Sequence, residues 1–169
     1  FVLGLLPVVL GYRNPIVDDA IRAQLEKGIT FSLATDLEAE LAERLVDLIP
    51  CAEKVRFGKN GSDVTLAATR LARAHTGRDK IAMCGYHGWH DWSIGTTTRN
   101  LGIPKAVQDL TLTFPYNDTE ALEQLFLAEE GQIAAVIMEP ASIVEPDPGY
   151  LQAVKEIAHK NGALLVFDE

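Results

Sequence analysis

Ile133-Ala-Ala-Val-Ile-Met138, running into Glu139-Pro140, is the stretch that decides the fold. An unbroken apolar run of this length, with no polar alternation, describes a strand covered on both faces. Working outward, Pro148-Gly149 opens a helix carrying Leu151, Val154, Ile157 and Ala158, and Asn161-Gly162 ends it. Ala163-Leu-Leu-Val-Phe167 then reads as a last buried strand. On the other side, a helix over 119–128 is capped by Asn117 or Asp118 and closes near Gly131. Before it, Leu110–Phe114 and Lys80–Cys84 read as short strands. Strands alternating with helices predict an α/β fold: a mainly parallel sheet with helices on both faces.

Upstream of the strands the pattern is helical. Asn14-Pro15 is a helix-entry signal, followed by an apolar face of Ile16, Val17, Ala20, Ile21 and Leu25 that ends at Gly28. Thr35-Asp36-Leu37-Glu38 matches a capping box. Leu37, Leu41, Leu45 and Leu48 continue at helical spacing until Pro50. Residues 1–50 are therefore expected to form an N-terminal helical segment leading into a larger domain over 51–169. The opening Phe1–Leu10 is strongly apolar but broken by Gly4 and Pro7, too short to span a bilayer, and expected to lie near the core.

In parallel sheets, ligands gather at the carboxyl ends of the strands. Here those ends carry Gly85-Tyr86-His87-Gly88-Trp89-His90-Asp91-Trp92, then Glu139-Pro140, then Asp168-Glu169. Before the first strand, Asn60-Gly61-Ser62-Asp63-Val64 turns into a helix with Val64, Ala67, Ala68, Leu71 and Ala72 on one face and Gly77 as its stop. The unpaired first amides of such a helix, with the Ser62 hydroxyl, hold a phosphate without help from lysine or arginine. The same residues also describe an ordinary capped helix.

A flat, phosphorylated, protonated heteroaromatic ring suits this edge. Its phosphate would sit on the N–H groups of Gly61, Ser62 and Asp63. Tyr86 would stack on its face, an arrangement worth about 0.5–1.5 kcal/mol beyond burial. Asp168 would accept from the ring nitrogen and keep it protonated, a charge-assisted bond of about 1.5–3 kcal/mol. A ring so held is an electron sink, the demand of pyridoxal phosphate chemistry. Each residue also has a plainer reading: Asp168 as the cap of a following helix, Glu139 as the end of its strand, Glu145 as a solvated loop charge, and Cys84 as core. Trp89 and Trp92 are expected to pack. His87 and His90 lack a third ligand for a metal.

The remaining composition narrows the class. A net charge of −9 lacks the clustered basic surface that nucleic acid or an anionic membrane requires. Cys51 and Cys84 have neither metal-ligand nor disulfide spacing and read as buried thiols. No targeting signal is present, so a cytoplasmic protein is expected. Phe1 in place of methionine, and a last residue directly after an apolar run, read as N- and C-terminal truncation. No Gly-x-Gly-x-x-Gly follows a strand, which disfavours a dinucleotide site.

In order, Asn60-Gly61-Ser62-Asp63-Val64, Thr76-Gly77-Arg78, Tyr86-His87-Gly88, Glu139-Pro140 and Phe167-Asp168-Glu169 resemble the class III aminotransferases, in particular their glutamate-1-semialdehyde aminomutase-like branch. Leu10-Gly11-Tyr12-Arg13-Asn14-Pro15 and Thr35-Asp36-Leu37-Glu38 agree with that branch. The resemblance implies part of the large domain of a fold-type I pyridoxal 5'-phosphate transferase. It makes Gly61 and Ser62 phosphate ligands, Tyr86 the stacking ring, Asp168 the pyridine-nitrogen partner, and His87 and Glu139 pocket residues.

The family's usual first and last residues of the 60–64 turn differ here. Its Schiff-base lysine falls beyond Glu169, so residues 1–169 are expected to be inert alone. The resemblance further implies transamination between small-molecule amine and carbonyl substrates, by a homodimer with shared active sites. The alternatives are intramolecular amino transfer of the glutamate-1-semialdehyde 2,1-aminomutase type and a non-catalytic phosphate-binding module.

Overall fold

A computed structural model describes Gly4, residues 7–141 and residues 143–169. These residues form two compact units that meet in sequence at Arg56 and Phe57. In the first, helix α1 spans Pro15–Leu25, with the Asn14 side chain accepting from the Ile16 and Val17 amides. Helix α2 spans Asp36–Leu48 and carries the complete capping box: the Thr35 N–H donates to Glu38 Oε2 (2.8 Å) and the Glu38 N–H to Thr35 Oγ1 (3.4 Å). Neither helix buries a residue. Cys51 is exposed, contrary to the buried thiol expected. The expectation of a buried opening run fails for Val9 and Leu10, which are exposed; Phe1, Val2, Leu3, Leu5 and Leu6 lie outside the described residues.

The second unit is the α/β body. Helix α3 (Gly61–Thr76) precedes strand β1 (Lys80–Cys84); short helices α4 (Asp91–Ile94) and α5 (Lys105–Gln108) lead to β2 (Thr111–Thr113). Helix α6 (Thr119–Ala128), strand β3 (Ile133–Met138), helix α7 (Tyr150–Lys160) and strand β4 (Leu164–Phe167) follow. Strand and helix positions agree with the sequence expectations, and Asp118 is the cap of α6, accepting from the Ala121 amide. Only the two four-residue helices were not foreseen, because each is too short to show a period.

All strand pairs are parallel, in the order β2-β1-β3-β4. Successive side chains of the central strands face opposite layers. Ile81, Met83, Ala135 and Ile137 pack with Ala72 of α3 and with Trp92, whereas Ala82, Cys84, Val136 and Met138 pack with α6 and α7. Helices therefore cover both faces, as the apolar runs require. Every residue of β3 is buried, and each large aliphatic so placed contributes about 1.5–3 kcal/mol. β4, expected to be buried as well, pairs with β3 and is partly exposed within residues 1–169, Phe167 to 43%.

The chain leaves β1 toward β2, then reverses over β1 to β3 and continues to β4. Right-handed crossovers demand that the connecting layer change face with this reversal, and α6 and α7 duly share the face opposite Trp92 of α4, which lies in the β1–β2 connection. The reversal creates a switch point between the carboxyl ends of β1 and β3, the place where such sheets open a crevice. Residues 85–89 and Glu139 stand there. Among the described residues, no helix is long and apolar enough to cross a membrane.

Candidate active site

The amino end of α3 is the first wall. Asn60, extended at φ −154°, caps it by accepting the Asp63 amide on Oδ1 (3.1 Å), and the Val64 amide donates to the Asn60 carbonyl (3.2 Å). The Gly61 and Ser62 amides then have no acceptor among the described residues, as expected of the first positions of a helix. The Asp63 amide expected to join them is corrected by this geometry: it is already taken up by the cap. The Asp63 carboxylate instead faces His90 Nε2 at 3.3 Å. Ser62 Oγ accepts the Trp89 amide (3.2 Å), which leaves its own hydrogen to donate to a ligand.

The loop after β1 is the second wall, shaped by two glycines. Gly88 has φ +104°, and a Cβ there would lie 2.5 Å from Ser62 Oγ and 2.9 Å from Ser62 Cα. Only glycine lets this backbone touch α3. Gly85, at φ +99°, leaves a space whose would-be Cβ is 3.7 Å from both Glu139 Oε1 and His87 Nε2. Glu139 is half-buried and forms no ion pair among the described residues. Tyr86 is 56% exposed, its ring open to a planar partner. Trp92 packs as expected, but Trp89 does not: it is 68% exposed and stacks on the His90 ring (centroids 5.3 Å apart).

His87, expected to line the pocket, is instead 1% exposed and sits beneath it. Its ring Nε2 is 2.8 Å from the Cys84 carbonyl and its Nδ1 is 2.8 Å from Asp168 Oδ2. A carbonyl can only accept, so Nε2 carries a hydrogen. The Nδ1–Oδ2 contact ties the imidazole to the carboxylate. The ring lies nearly parallel to Trp92 (9°); the His87 main-chain N–H donates to the buried Ser93 Oγ (3.3 Å), and the His87 main-chain carbonyl accepts from Thr65 Oγ1 (2.7 Å). Sequence reasoning missed Thr65 and Ser93. The one-turn spacing from Ser62 to Thr65 is the only signal that pointed to either.

Asp168 extends the β4 ladder, its amide donating to the Met138 carbonyl (3.0 Å). With Oδ2 on His87, Oδ1 makes no hydrogen bond among the described residues and is free to accept from a ring N–H. Asp168 and Ser62 are thus tied to consecutive residues: His87 holds the first, Gly88 and Trp89 touch the second. Adjacent Cα atoms are about 3.8 Å apart, so both groups share one sheet edge.

Cys84 lies below this edge. Burial, and then the nearby Glu139 carboxylate, push its thiol above the ordinary range, so it stays protonated core. Lys80 is engaged with Glu129 (2.5 Å) at the amino end of β1, and Lys105 with Asp109. Among the described residues no group of three or more His, Cys, Asp or Glu is placed to hold a metal.

The chain is similar to known proteins in sequence and in fold. The chain is 43% identical, over its full length, to glutamate-1-semialdehyde 2,1-aminomutase 2 of an Exiguobacterium species, covering 42% of that protein. It is 41% identical over 96% of its length to 3-aminobutyryl-CoA aminotransferase of Cloacimonas acidaminovorans, covering 40% of it. Among solved structures, an omega-transaminase from Sphaerobacter thermophilus superposes with a TM-score of 0.90 at 30% identity, over 99% of this chain and 43% of that one. The chain therefore spans about two fifths of the length of the curated relatives it matches. The sequence model of the aminotransferase class-III family matches residues 1–169, and the chain belongs to that family.

Proposed function

We propose that the protein carrying this chain moves an amino group from an amine donor to a carbonyl acceptor with pyridoxal 5'-phosphate. When bound, that cofactor supplies an electron sink for a carbanion at the substrate carbon. The carrying observation is the attachment of Ser62 and Asp168 to consecutive loop residues. One small molecule with a phosphate at one end and a ring N–H at the other suits that pair. The Gly61 and Ser62 amides and the Ser62 hydroxyl would bind the phosphate, and the Tyr86 ring would cover one face of the heterocycle. Asp168 Oδ1 would hold the ring nitrogen's proton, with His87 fixing the carboxylate. Glu139 would line the floor beside Gly85.

These residues form a cradle and supply no amine of their own at the edge; the family resemblance assigns the Schiff-base lysine to sequence beyond Glu169. By the same resemblance the protein is a homodimer with shared sites, and we read its location as cytoplasmic. Titration of the protein with pyridoxal phosphate, followed by borohydride, tests the reading. A covalently reduced lysine adduct is expected, whereas phosphate or nucleotide binding without an adduct would favour a non-catalytic module.

A second reading is favoured by relatives named glutamate-1-semialdehyde 2,1-aminomutase at 43% and 39% identity. Isomerised product from a single amino-aldehyde, with no separate donor or acceptor, would select intramolecular transfer.

A further inference from the structure

We infer that Thr65 is a positioning residue whose buried hydroxyl sets the spacing between the phosphate end of α3 and Asp168. The inference rests on the pyridoxal phosphate reading of the site. Thr65 lies one turn after Ser62, so both project toward the 87–89 loop from one helix face. Thr65 is 5% exposed. Its Oγ1 is 2.7 Å from the His87 carbonyl and 3.1 Å from the Ser62 carbonyl. A hydroxyl has one hydrogen, and the shorter, long-range contact to His87 takes it.

The effect passes through the residue that is held. The His87 carbonyl has no other donor among the described residues. Thr65 on one side and Ser93 on the other hold the His87 main chain, and the ring is thereby placed between Cys84 and Asp168. Removing the hydroxyl leaves a buried carbonyl unpaired, which a native structure relieves by admitting water or by moving. Movement of the loop away from α3 draws the Trp89 amide off Ser62 and the imidazole off Asp168 together. Both ends of the cradle then change spacing, although Thr65 touches neither ligand group.

The test compares Thr65→Val, which keeps the branched shape and loses the hydroxyl, with Thr65→Ser, which keeps the hydroxyl and loses the methyl. Each is made in the protein carrying this sequence, and two quantities are read: the apparent dissociation constant for pyridoxal phosphate, and the ring 15N resonances of His87. Thr65→Val is expected to raise the dissociation constant about tenfold and to shift the His87 resonances. Thr65→Ser is expected to stay within about twofold, with the resonances in place.

A loss of melting temperature in Thr65→Val, with unchanged affinity and His87 resonances, would assign Thr65 a purely structural role and overturn the inference. Failure of serine to restore affinity would also overturn it, by locating the effect in the methyl group. No binding by the unsubstituted protein would overturn the site reading, and the inference with it. Binding that survives Thr65→Val intact would overturn the inference alone.

Discussion

The two ends of the sheet use similar residue types for different ends. At the amino end, Arg78 Nη1 donates to the Ile133 carbonyl (3.0 Å) and the Asn161 carbonyl (2.7 Å), tying β3 to the last turn of α7, while Lys80 meets Glu129. Gly162 makes room there, since a Cβ would lie 2.9 Å from the guanidinium. Each of these groups is answered from within the protein. At the carboxyl end the answers are incomplete: two helix amides, the Ser62 hydroxyl hydrogen and Asp168 Oδ1 have no partner among the described residues. On the proposed reading, unanswered polar groups held in place by buried ones mark the end that binds. Thr76-Gly77-Arg78, matched to the family by sequence, belongs to the end that only holds the sheet together.

This contrast predicts that carboxyl-end substitutions alter ligand affinity, and amino-end substitutions alter stability alone. Asp168→Ala has the largest expected effect. It removes the ring-nitrogen acceptor and leaves His87 Nδ1 buried without a partner, so pyridoxal phosphate affinity in the intact protein should fall up to about a hundredfold in an absorbance titration. Gly88→Ala comes next. Its methyl group meets Ser62 at a φ that L-residues avoid, which should cost about 1–3 kcal/mol in a urea titration and weaken phosphate binding as well.

Arg78→Ala should cost about 2 kcal/mol of stability through two unpaired carbonyls, with ligand affinity unchanged. A large change in affinity would break the division between the two ends. Tyr150→Phe should do least. The Tyr150 hydroxyl is buried without a hydrogen-bond partner, so stability near pH 7 should change by less than about 0.5 kcal/mol.

The same tyrosine sets a pH dependence. Burial first, and then the Cys84 thiol, push its phenol up to about 12; the Asn117 backbone amide opposes the shift without a hydrogen bond of good geometry. A folded-state value above the unfolded one, about 10, means that the unfolded chain loses its proton first. Stability is therefore retained below pH 10 and falls between about pH 10 and 12. Tyr150→Phe should abolish that part of the alkaline loss in melting curves taken across this range.

Particular elements show how far the sequence could be read. Caps and periods are local, so Asn14, the Thr35–Glu38 box and Asp118 are found where their spacing places them. The apolar runs specified the strands for the same reason, because a strand covered on both faces needs no distant information to be recognised. Gly61, Ser62, Tyr86 and Asp168 could be listed as strand-end and helix-start residues before any coordinates.

What the sequence could not rank was surroundings. Ile133–Met138 and Leu164–Phe167 are equally apolar, yet within residues 1–169 only the first is wholly buried, because it pairs on both sides with segments remote in the chain. Trp89 and Trp92 sit three residues apart in one loop, and only packing put the second inside. His87 reads as a pocket residue until the fold wedges it between Cys84 and Asp168, a residue 81 positions away. Local propensity and solvation of single segments wrote the elements and the roster of candidate groups. Contacts between residues remote in the chain decided which of those groups were satisfied inside the protein and which were left for a ligand.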